Sequence, residues 1–242
     1  MRTCCLMIAL MLMAAMQPLS ADTPEYQNER ADLVAEVRSW GDSDPPPGKS
    51  SFDPKVLQTL NEVKRHEFVP ERLRSDAYRN HPLPIGHGQT ISQPYIVALM
   101  TDLVEAKPGH VVLEVGTGSG SQAAVLAKLV RQVYSIEIIE PLARQAEERL
   151  RRLGYDNVVT RLGDGYFGWE EHAPFDAIVV TAAASHVPPP LVQQLKPGGR
   201  MVIPVGGRFT VQYLLLVEKD DNGEVITRQI TPVRFVPLTG DH

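Results

Sequence analysis

Cysteine is almost absent from this chain of 242 residues, since its two cysteines, Cys4 and Cys5, are neighbours near the amino terminus. From residue 6 onward there is no thiol, which excludes disulfides, zinc–thiolate sites and cysteine nucleophiles from that part of the chain. An excess of basic residues is also missing, because 24 Lys and Arg stand against 29 Asp and Glu, a formal charge of −5. We therefore expect no nucleic-acid partner and no general attraction to anionic lipid.

Histidine spacings typical of metal ligands are missing as well. The histidines between His66 and His186 are scattered along the chain, so we predict no metal site. What the chain does have is an ordinary balance of 43% hydrophobic and 22% charged residues, which is typical of a folded globular protein.

The amino terminus carries a long hydrophobic run. Arg2 and Thr3 precede thirteen unbroken apolar residues, from Cys4 to Met16. As a helix this run would reach only about 20 Å, short of the ~30 Å hydrocarbon core of a bilayer. We predict that residues 1–21 are a secretory signal peptide that is cut after Ala21, which leaves no stable membrane anchor. An apolar helix packed on the domain is the alternative.

Residues 22–52 are predicted to form an N-terminal helix followed by a proline-rich linker. The helical pattern covers residues 29–40, and residues 41–48, with the sequence GDSDPPPG, interrupt it. A second helix is expected to begin at Asp53, which has the properties of an N-cap. Residues 78–93 contain Pro and Gly without helical or strand periodicity, so we predict a long ordered loop of a kind that is often functional.

From residue 111 onward, short apolar runs alternate with amphipathic helical patterns. This alternation predicts a Rossmann-like α/β fold, in which helices cover both faces of a doubly wound, mostly parallel sheet. The last two apolar runs, residues 211–217 and 225–230, are separated by a turn and predict an antiparallel edge. We assign residues 53–242 to this domain.

A glycine loop follows the first of these predicted strands. The dinucleotide-binding pattern Gly-x-Gly-x-x-Gly would require a third glycine at position 121, which is Ser121. Instead, the loop is Gly-x-Gly-x-Gly, with glycines at Gly116, Gly118 and Gly120, and Glu114 lies in the strand before it. This version resembles the cofactor loop of S-adenosylmethionine-dependent methyltransferases.

Acidic residues also occur at the ends of the next two predicted strands. Glu137 lies 21 residues after Gly116, where a carboxylate can accept hydrogen bonds from both ribose hydroxyls of an adenosine. Asp164 and Gly165 end the third strand, where Asp164 would lie near the adenine amino group. Because ligands bind outside the carboxyl ends of strands in open α/β sheets, we predict that these residues bind one nucleotide-type cofactor.

Several further motifs are specific to one family. GQTISQP at residues 88–94, VTAA at 180–183, GGRMVIPVG at 198–206 and VRFVPL at 233–238 resemble protein-L-isoaspartate O-methyltransferases. The resemblance extends over residues 56–239. It implies methyl transfer from S-adenosylmethionine to the α-carboxylate of an isoaspartyl residue in a damaged protein. The resulting ester collapses to a succinimide, whose hydrolysis can restore aspartate.

The resemblance implies that Ser92 is the catalytic residue. Since a carboxylate is ionised at neutral pH and is already a nucleophile, the reaction needs no general base, and Ser92 would only orient the acceptor. From the sequence pattern alone, Ser92 could instead be a turn or N-cap serine before a helix at residues 94–104. The other residues that the resemblance places against the cofactor are Gln89, Thr90, Ile91 and Thr239. Those placed against the acceptor are Thr181, Ala182, Ala183 and Arg234, although Arg234 could equally be a surface arginine.

Two alternatives to this function remain open from the sequence. Another class I methyltransferase, acting on a small-molecule carboxylate, would share the glycine loop but has no reason to keep residues 88–92. A binding module without activity would tolerate the loss of Glu114 or Glu137, and both are present. The leader predicts export, to the periplasm, whereas S-adenosylmethionine is made in the cytosol, so a cytoplasmic location is the alternative.

Overall fold

The computed structural model describes residues 22–207 and 210–240. The predicted leader, residues 1–21, therefore lies outside the described residues. Within the described ranges, no helix has both the length and the apolar character needed to cross a membrane.

The first helix, α1 (Pro24–Ser43), is longer than the predicted residues 29–40. It begins at an N-cap, Thr23, whose hydroxyl accepts a hydrogen bond from the Tyr26 N–H at 3.3 Å. The helix continues through Gly41, where a side chain would collide with the Phe52 ring at 2.4 Å. Gly41 therefore serves close packing here, and the helix ends only before the prolines.

Helix α2 (Pro54–Glu62) begins at the predicted N-cap, Asp53, whose carboxylate accepts a hydrogen bond from the Lys55 N–H at 2.8 Å. Apolar side chains from α1 and α2 are buried in one core cluster with those of α3 (Pro94–Leu103). The predicted N-terminal helical layer is thus confirmed, and it forms a continuous core with the rest of the domain.

The segment predicted as a long ordered loop, residues 78–93, is loop only in part. This segment contains an antiparallel hairpin, formed by β1 (Leu83–Gly86) and β2 (Gln89–Ile91). His87 and Gly88 at its turn have positive φ angles of 52° and 72°. Strands of four and three residues are too short to show a period of two, which explains why the sequence pattern did not indicate them.

A seven-stranded sheet forms the centre of the domain, in the order β5-β4-β3-β6-β7-β8-β9. Its first five strands in that order are parallel, and β8 is antiparallel to both of its neighbours, β7 and β9. The predicted fold class and antiparallel edge are confirmed. The strands are β3 (Val111–Val115), β4 (Gln132–Glu137), β5 (Val158–Leu162), β6 (Phe175–Val180), β7 (Leu195–Val205), β8 (Gln212–Lys219) and β9 (Val225–Val233).

Helices cover both faces of this sheet. Helices α1 to α3 and α4 (Ser121–Ala127) contribute to the core cluster on one face, and α6 (Pro189–Gln194) contributes to the cluster on the other. Helix α5 (Glu140–Arg152) follows β4 and buries Leu142, Ala146 and Leu150. The chain proceeds outward from β3 in one direction through β4 and β5, then in the other through β6 and β7. This reversal creates a crevice at the carboxyl ends of β3 and β6.

Candidate active site

The glycine loop lies in this crevice, between the end of β3 and the start of α4. Gly116, Gly118 and Gly120 all have positive φ angles, of 95°, 55° and 88°. A Cβ atom on Gly116 would also lie only 2.5 Å from the Thr181 hydroxyl oxygen. Only glycine allows this backbone to turn so tightly and to lie so close to the end of β6.

Glu137 joins the end of β4 to the glycine loop. Its carboxylate accepts one hydrogen bond from the Gly118 N–H at 2.7 Å and another from the Ile139 N–H at 2.9 Å. The side chain is buried but still lines the crevice. Because a carboxylate has about four acceptor positions, two remain for hydroxyl groups of a ligand.

A cavity of about 770 Å³, including its open mouth, occupies the crevice. Eleven of the residues predicted from the sequence belong to its walls. They come from the hairpin and the residue after it, from the ends of four strands and from the carboxyl-terminal segment. They are Gln89, Thr90, Ile91, Ser92, Gly116, Gly118, Glu137, Gly165, Thr181, Ala182 and Thr239.

Glu114 does not line the cavity, and the prediction of a direct cofactor contact for it is not supported by its position. Its side chain is fully buried, and the Ser135 hydroxyl donates a hydrogen bond to it. Ser135 in turn contacts the Thr117 hydroxyl at 2.5 Å. Burial raises the pKa of the Glu114 carboxyl to about 8. This residue therefore supports the glycine loop from inside the protein as a predominantly protonated acid.

The raised pKa of Glu114 predicts a pH-dependent stability. Between about pH 4.5 and 8 the folded chain keeps a proton that the unfolded chain releases, so the free energy of unfolding falls as the pH rises. Glu114→Gln removes this titration. Denaturant unfolding measures the free energy of unfolding of both proteins. We expect the value for the variant minus the value for wild type to increase by up to about 1.4 kcal/mol per pH unit across this range. A constant difference from pH 5 to 8 would contradict a protonated Glu114.

Four other predicted cofactor or acceptor residues also lie outside the cavity walls, and one of them, Arg234, lines a neighbouring groove. Asp164 uses its carboxylate to accept a hydrogen bond from the Tyr166 N–H at 2.9 Å, so it caps the short turn that follows. Gly120 packs against Leu150, and its role is to begin α4. Ala183 contributes backbone hydrogen bonds rather than a cavity surface. A motif can place these residues near a strand end, but it does not determine which of them face the ligand.

Thr181 lines the cavity, but its hydroxyl hydrogen is already used in a hydrogen bond to the backbone. It donates to the carbonyl oxygen of Gly116 at 2.6 Å and lies 3.0 Å from that of Val115. Thr181 therefore fixes the glycine loop to the end of β6, and only its acceptor lone pairs remain for a substrate.

A second groove adjoins the cavity and contains Arg234. It runs between the hairpin side and the segment that follows β9, with Pro82, Gln93 and Ile96 on one wall and residues 232–236 on the other. Thr90, Ser92, Thr181 and Val236 line both the cavity and this groove. The two spaces therefore meet at these four side chains.

Ser92 lies at this junction, between β2 and α3. The alternative reading of Ser92 as an N-cap is wrong, because Gln93 is the N-cap of α3 and no side chain caps that helix end. Among the residues that the structure describes, the Ser92 hydroxyl has no hydrogen-bond partner. It is therefore available to a molecule bound in the groove.

Sequence reasoning missed just over half of the cavity wall. The wall also includes polar residues of the glycine loop, two isoleucines after Glu137 and the residues before Thr239. The pattern of an acidic strand end followed by apolar residues could have indicated the isoleucines, whereas the carboxyl-terminal residues arrive through long-range pairing. The missed residues are Val97, Val115, Thr117, Ser119, Ser121, Gln122, Ile136, Ile138, Ile139, Val236, Pro237 and Leu238.

Comparisons with known proteins agree on one family. The family model for protein-L-isoaspartate(D-aspartate) O-methyltransferase matches residues 49–242. Protein-L-isoaspartate O-methyltransferase 1 of Cupriavidus necator is 60% identical over 238 residues, which are 98% of this chain and 92% of that protein. Protein-L-isoaspartate O-methyltransferase 2 of Polaromonas sp. is 70% identical over 193 residues, which are 80% of this chain and 92% of that protein.

Solved structures show the same similarity at lower identity. A protein-L-isoaspartate O-methyltransferase structure has a TM-score of 0.76 at 29% identity, covering 88% of this chain and 66% of that one. A Plasmodium falciparum structure described as a protein-L-isoaspartate O-methyltransferase in complex with S-adenosyl-L-homocysteine has a TM-score of 0.71 at 28% identity, covering 87% and 98%. The motif-based predictions of activity and cofactor are thus confirmed. This chain belongs to the protein-L-isoaspartate O-methyltransferase family, whose members are S-adenosylmethionine-dependent enzymes.

Proposed function

We propose that the cavity holds S-adenosylmethionine, that the groove holds an isoaspartyl peptide, and that the methyl group is transferred where the two meet. The observation that carries this proposal is the set of four residues, Thr90, Ser92, Thr181 and Val236, that line both spaces. A transfer between two bound molecules requires their reacting atoms to lie about 3–3.5 Å apart, which only a shared boundary allows.

The residues of the cavity fit this cofactor. The tight backbone at Gly116 and Gly118 leaves room beside the N-terminus of α4, and Glu137 presents a carboxylate with free acceptor positions. Ile138 and Ile139 add apolar surface next to that carboxylate, which suits an adenine ring. When bound, S-adenosylmethionine supplies an electrophilic methyl group on a sulfonium centre.

The chain's own contribution to the reaction is positioning. The acceptor carboxylate is already ionised, so no residue needs to remove a proton from it. We assign to the Ser92 hydroxyl one hydrogen bond to a carboxylate oxygen, which directs the other oxygen toward the cavity. Cation and anion neutralise each other as the methyl group moves. The apolar side chain of Val236 at the junction therefore favours transfer by limiting water there.

The groove favours a peptide over a small carboxylate. It is an open space of about 940 Å³, bounded by the hairpin side and by residues 232–236, so an extended chain can pass through it. The test is an assay of purified protein with methyl-labelled cofactor and three acceptors: an isoaspartyl peptide, the same peptide with aspartate, and small dicarboxylates. We expect label only on the isoaspartyl peptide. Transfer to the small acids alone would favour the alternative activity.

We further propose that the protein is exported and begins at Asp22. This proposal rests on the leader pattern of residues 1–21, and the position of Asp22 supports it. The Asp22 carboxylate accepts hydrogen bonds from the Arg30 guanidinium at 3.1 and 3.3 Å and lies 3.6 Å from the Lys64 ammonium nitrogen. A chain cut after Ala21 would therefore start with a residue that is anchored to the domain.

Mass spectrometry of the native protein tests this second proposal. We expect the mature chain to begin at or near Asp22 and to accumulate outside the cytosol. A soluble cytosolic protein that retains residues 1–21 would contradict export.

A further inference from the structure

The carboxyl-terminal segment, residues 235–239, forms a wall of the active site although it follows the last strand. Val236 lines both the cavity and the groove, and Pro237, Leu238 and Thr239 line the cavity. On one side the segment is bound to Ala183, three residues beyond the end of β6. There the Ala183 N–H donates to the Val236 carbonyl at 2.8 Å, and the Leu238 N–H donates to the Ala183 carbonyl at 2.7 Å.

The side chain of Gln212 holds the other side of the segment. The Phe235 N–H donates to the Gln212 Oε1 at 2.6 Å, and the Gln212 Nε2 donates to the Phe235 carbonyl at 3.1 Å. Gln212 is buried, with 7% of its surface exposed. The backbone N–H and the backbone carbonyl of Phe235 are therefore both hydrogen-bonded to the same side-chain amide.

The position of Gln212 explains this geometry. It is the first residue of β8, and its backbone pairs with Val233 at the end of β9. The backbone pairing of β8 with β9 ends at Val233, so the residues that follow have no backbone partner in β8. The Gln212 side-chain amide has the same donor and acceptor groups as a peptide, and it pairs with Phe235 instead. Gly206 allows the backbone at Gln212 to lie close to the end of β7, because a Cβ atom on residue 206 would lie only 2.7 Å from the Gln212 Cα.

We propose that Gln212 is a positioning residue, which sets the wall that the cofactor cavity and the acceptor groove share. This inference rests on the proposed function, since it assigns both ligands to those two spaces. Gln212 lines neither space itself. Its amide fixes Phe235, and Val236 follows directly in the chain.

The test replaces Gln212 with Met, which keeps the unbranched length but removes the amide. The matched control is Gln132→Met, since Gln132 also donates through its amide to backbone carbonyls, those of Val133 and Asn157, but at the opposite end of the sheet. The readouts are the Kd for S-adenosylhomocysteine by calorimetry, KM for an isoaspartyl peptide, kcat, and thermal unfolding.

For Gln212→Met we expect both the Kd and the KM to rise about tenfold, because two hydrogen bonds that fix the wall are lost. We expect kcat to change less than threefold, since Ser92 and Thr181 are untouched. The control should keep its Kd and KM even if its unfolding temperature falls. If Gln212→Met loses thermal stability but keeps both constants, Gln212 has a structural role only and the inference is wrong.

A second variant, Gln212→Glu, keeps the test decisive if Gln212→Met fails to fold. A protonated carboxyl can accept from the Phe235 N–H and donate to its carbonyl, whereas an ionised one can only accept. We expect its Kd for S-adenosylhomocysteine, relative to wild type at the same pH, to rise as the pH is raised. A ratio that does not vary with pH would overturn the inference. If the wild-type protein binds S-adenosylhomocysteine but methylates no isoaspartyl peptide, the proposed function is refuted instead. The Kd values of wild type and the Gln212 variants would then still test whether Gln212 positions the cavity wall.

Discussion

Ser92→Ala is expected to lower kcat on an isoaspartyl peptide by about ten- to a hundredfold and to leave the protein folded. One hydrogen bond to a charged group contributes roughly 1.5–3 kcal/mol, and this bond would act on the carboxylate as it reacts. The hydroxyl has no hydrogen-bond partner among the described residues, so its removal breaks no hydrogen bond of the fold. Single-turnover kinetics measures the effect without interference from product release.

Ser185→Ala is a suitable control for this experiment, because Ser185 is exposed and lines neither the cavity nor the groove. It should keep full activity. Full activity in Ser92→Ala would remove Ser92 from the mechanism. A covalent intermediate on Ser92, detected by intact-mass analysis, would contradict a purely orienting role.

Glu137→Ala is expected to raise the Kd for S-adenosylhomocysteine more than a hundredfold. The substitution removes the carboxylate that we assign to the ribose, and charge-assisted hydrogen bonds of this kind contribute roughly 1.5–3 kcal/mol each. It also removes the acceptor for the Gly118 and Ile139 N–H groups, so the glycine loop loses one of its connections to β4. Both losses act on the same cavity.

Calorimetry measures this change directly. Glu147→Ala serves as its control, because Glu147 lies on the exposed face of α5, away from the cavity. An unchanged Kd in Glu137→Ala would exclude Glu137 from the site and would weaken the assignment of all the strand ends.

The sequence predicted those parts of the site that depend on neighbouring residues. The glycine loop and Glu137 could be located because a strand, a turn and a helix start follow one another in the chain. Glu114 shows the limit of this reasoning: the motif places an acid in the strand, but the packing of the sheet determines that its side chain points into the core rather than the cavity.

Long-range contacts explain most of what the sequence could not predict. The wall at Val236 exists because Ala183 and Gln212 hold the chain there, and these residues are 53 and 24 positions away from it. No periodicity or spacing relates such residues. The hairpin of β1 and β2 was missed for the opposite reason, since its strands are too short for an alternating pattern to be recognised.

A structure of the protein bound to both S-adenosylhomocysteine and an isoaspartyl peptide would test the central claim most directly. We predict that the sulfur lies in the cavity between Gly116 and Ser92. We also predict that the isoaspartyl α-carboxylate lies in the groove, with one oxygen facing that sulfur and the other within hydrogen-bond distance of the Ser92 hydroxyl. A carboxylate bound away from the junction of the two spaces, with Ser92 making no contact to it, would contradict the account.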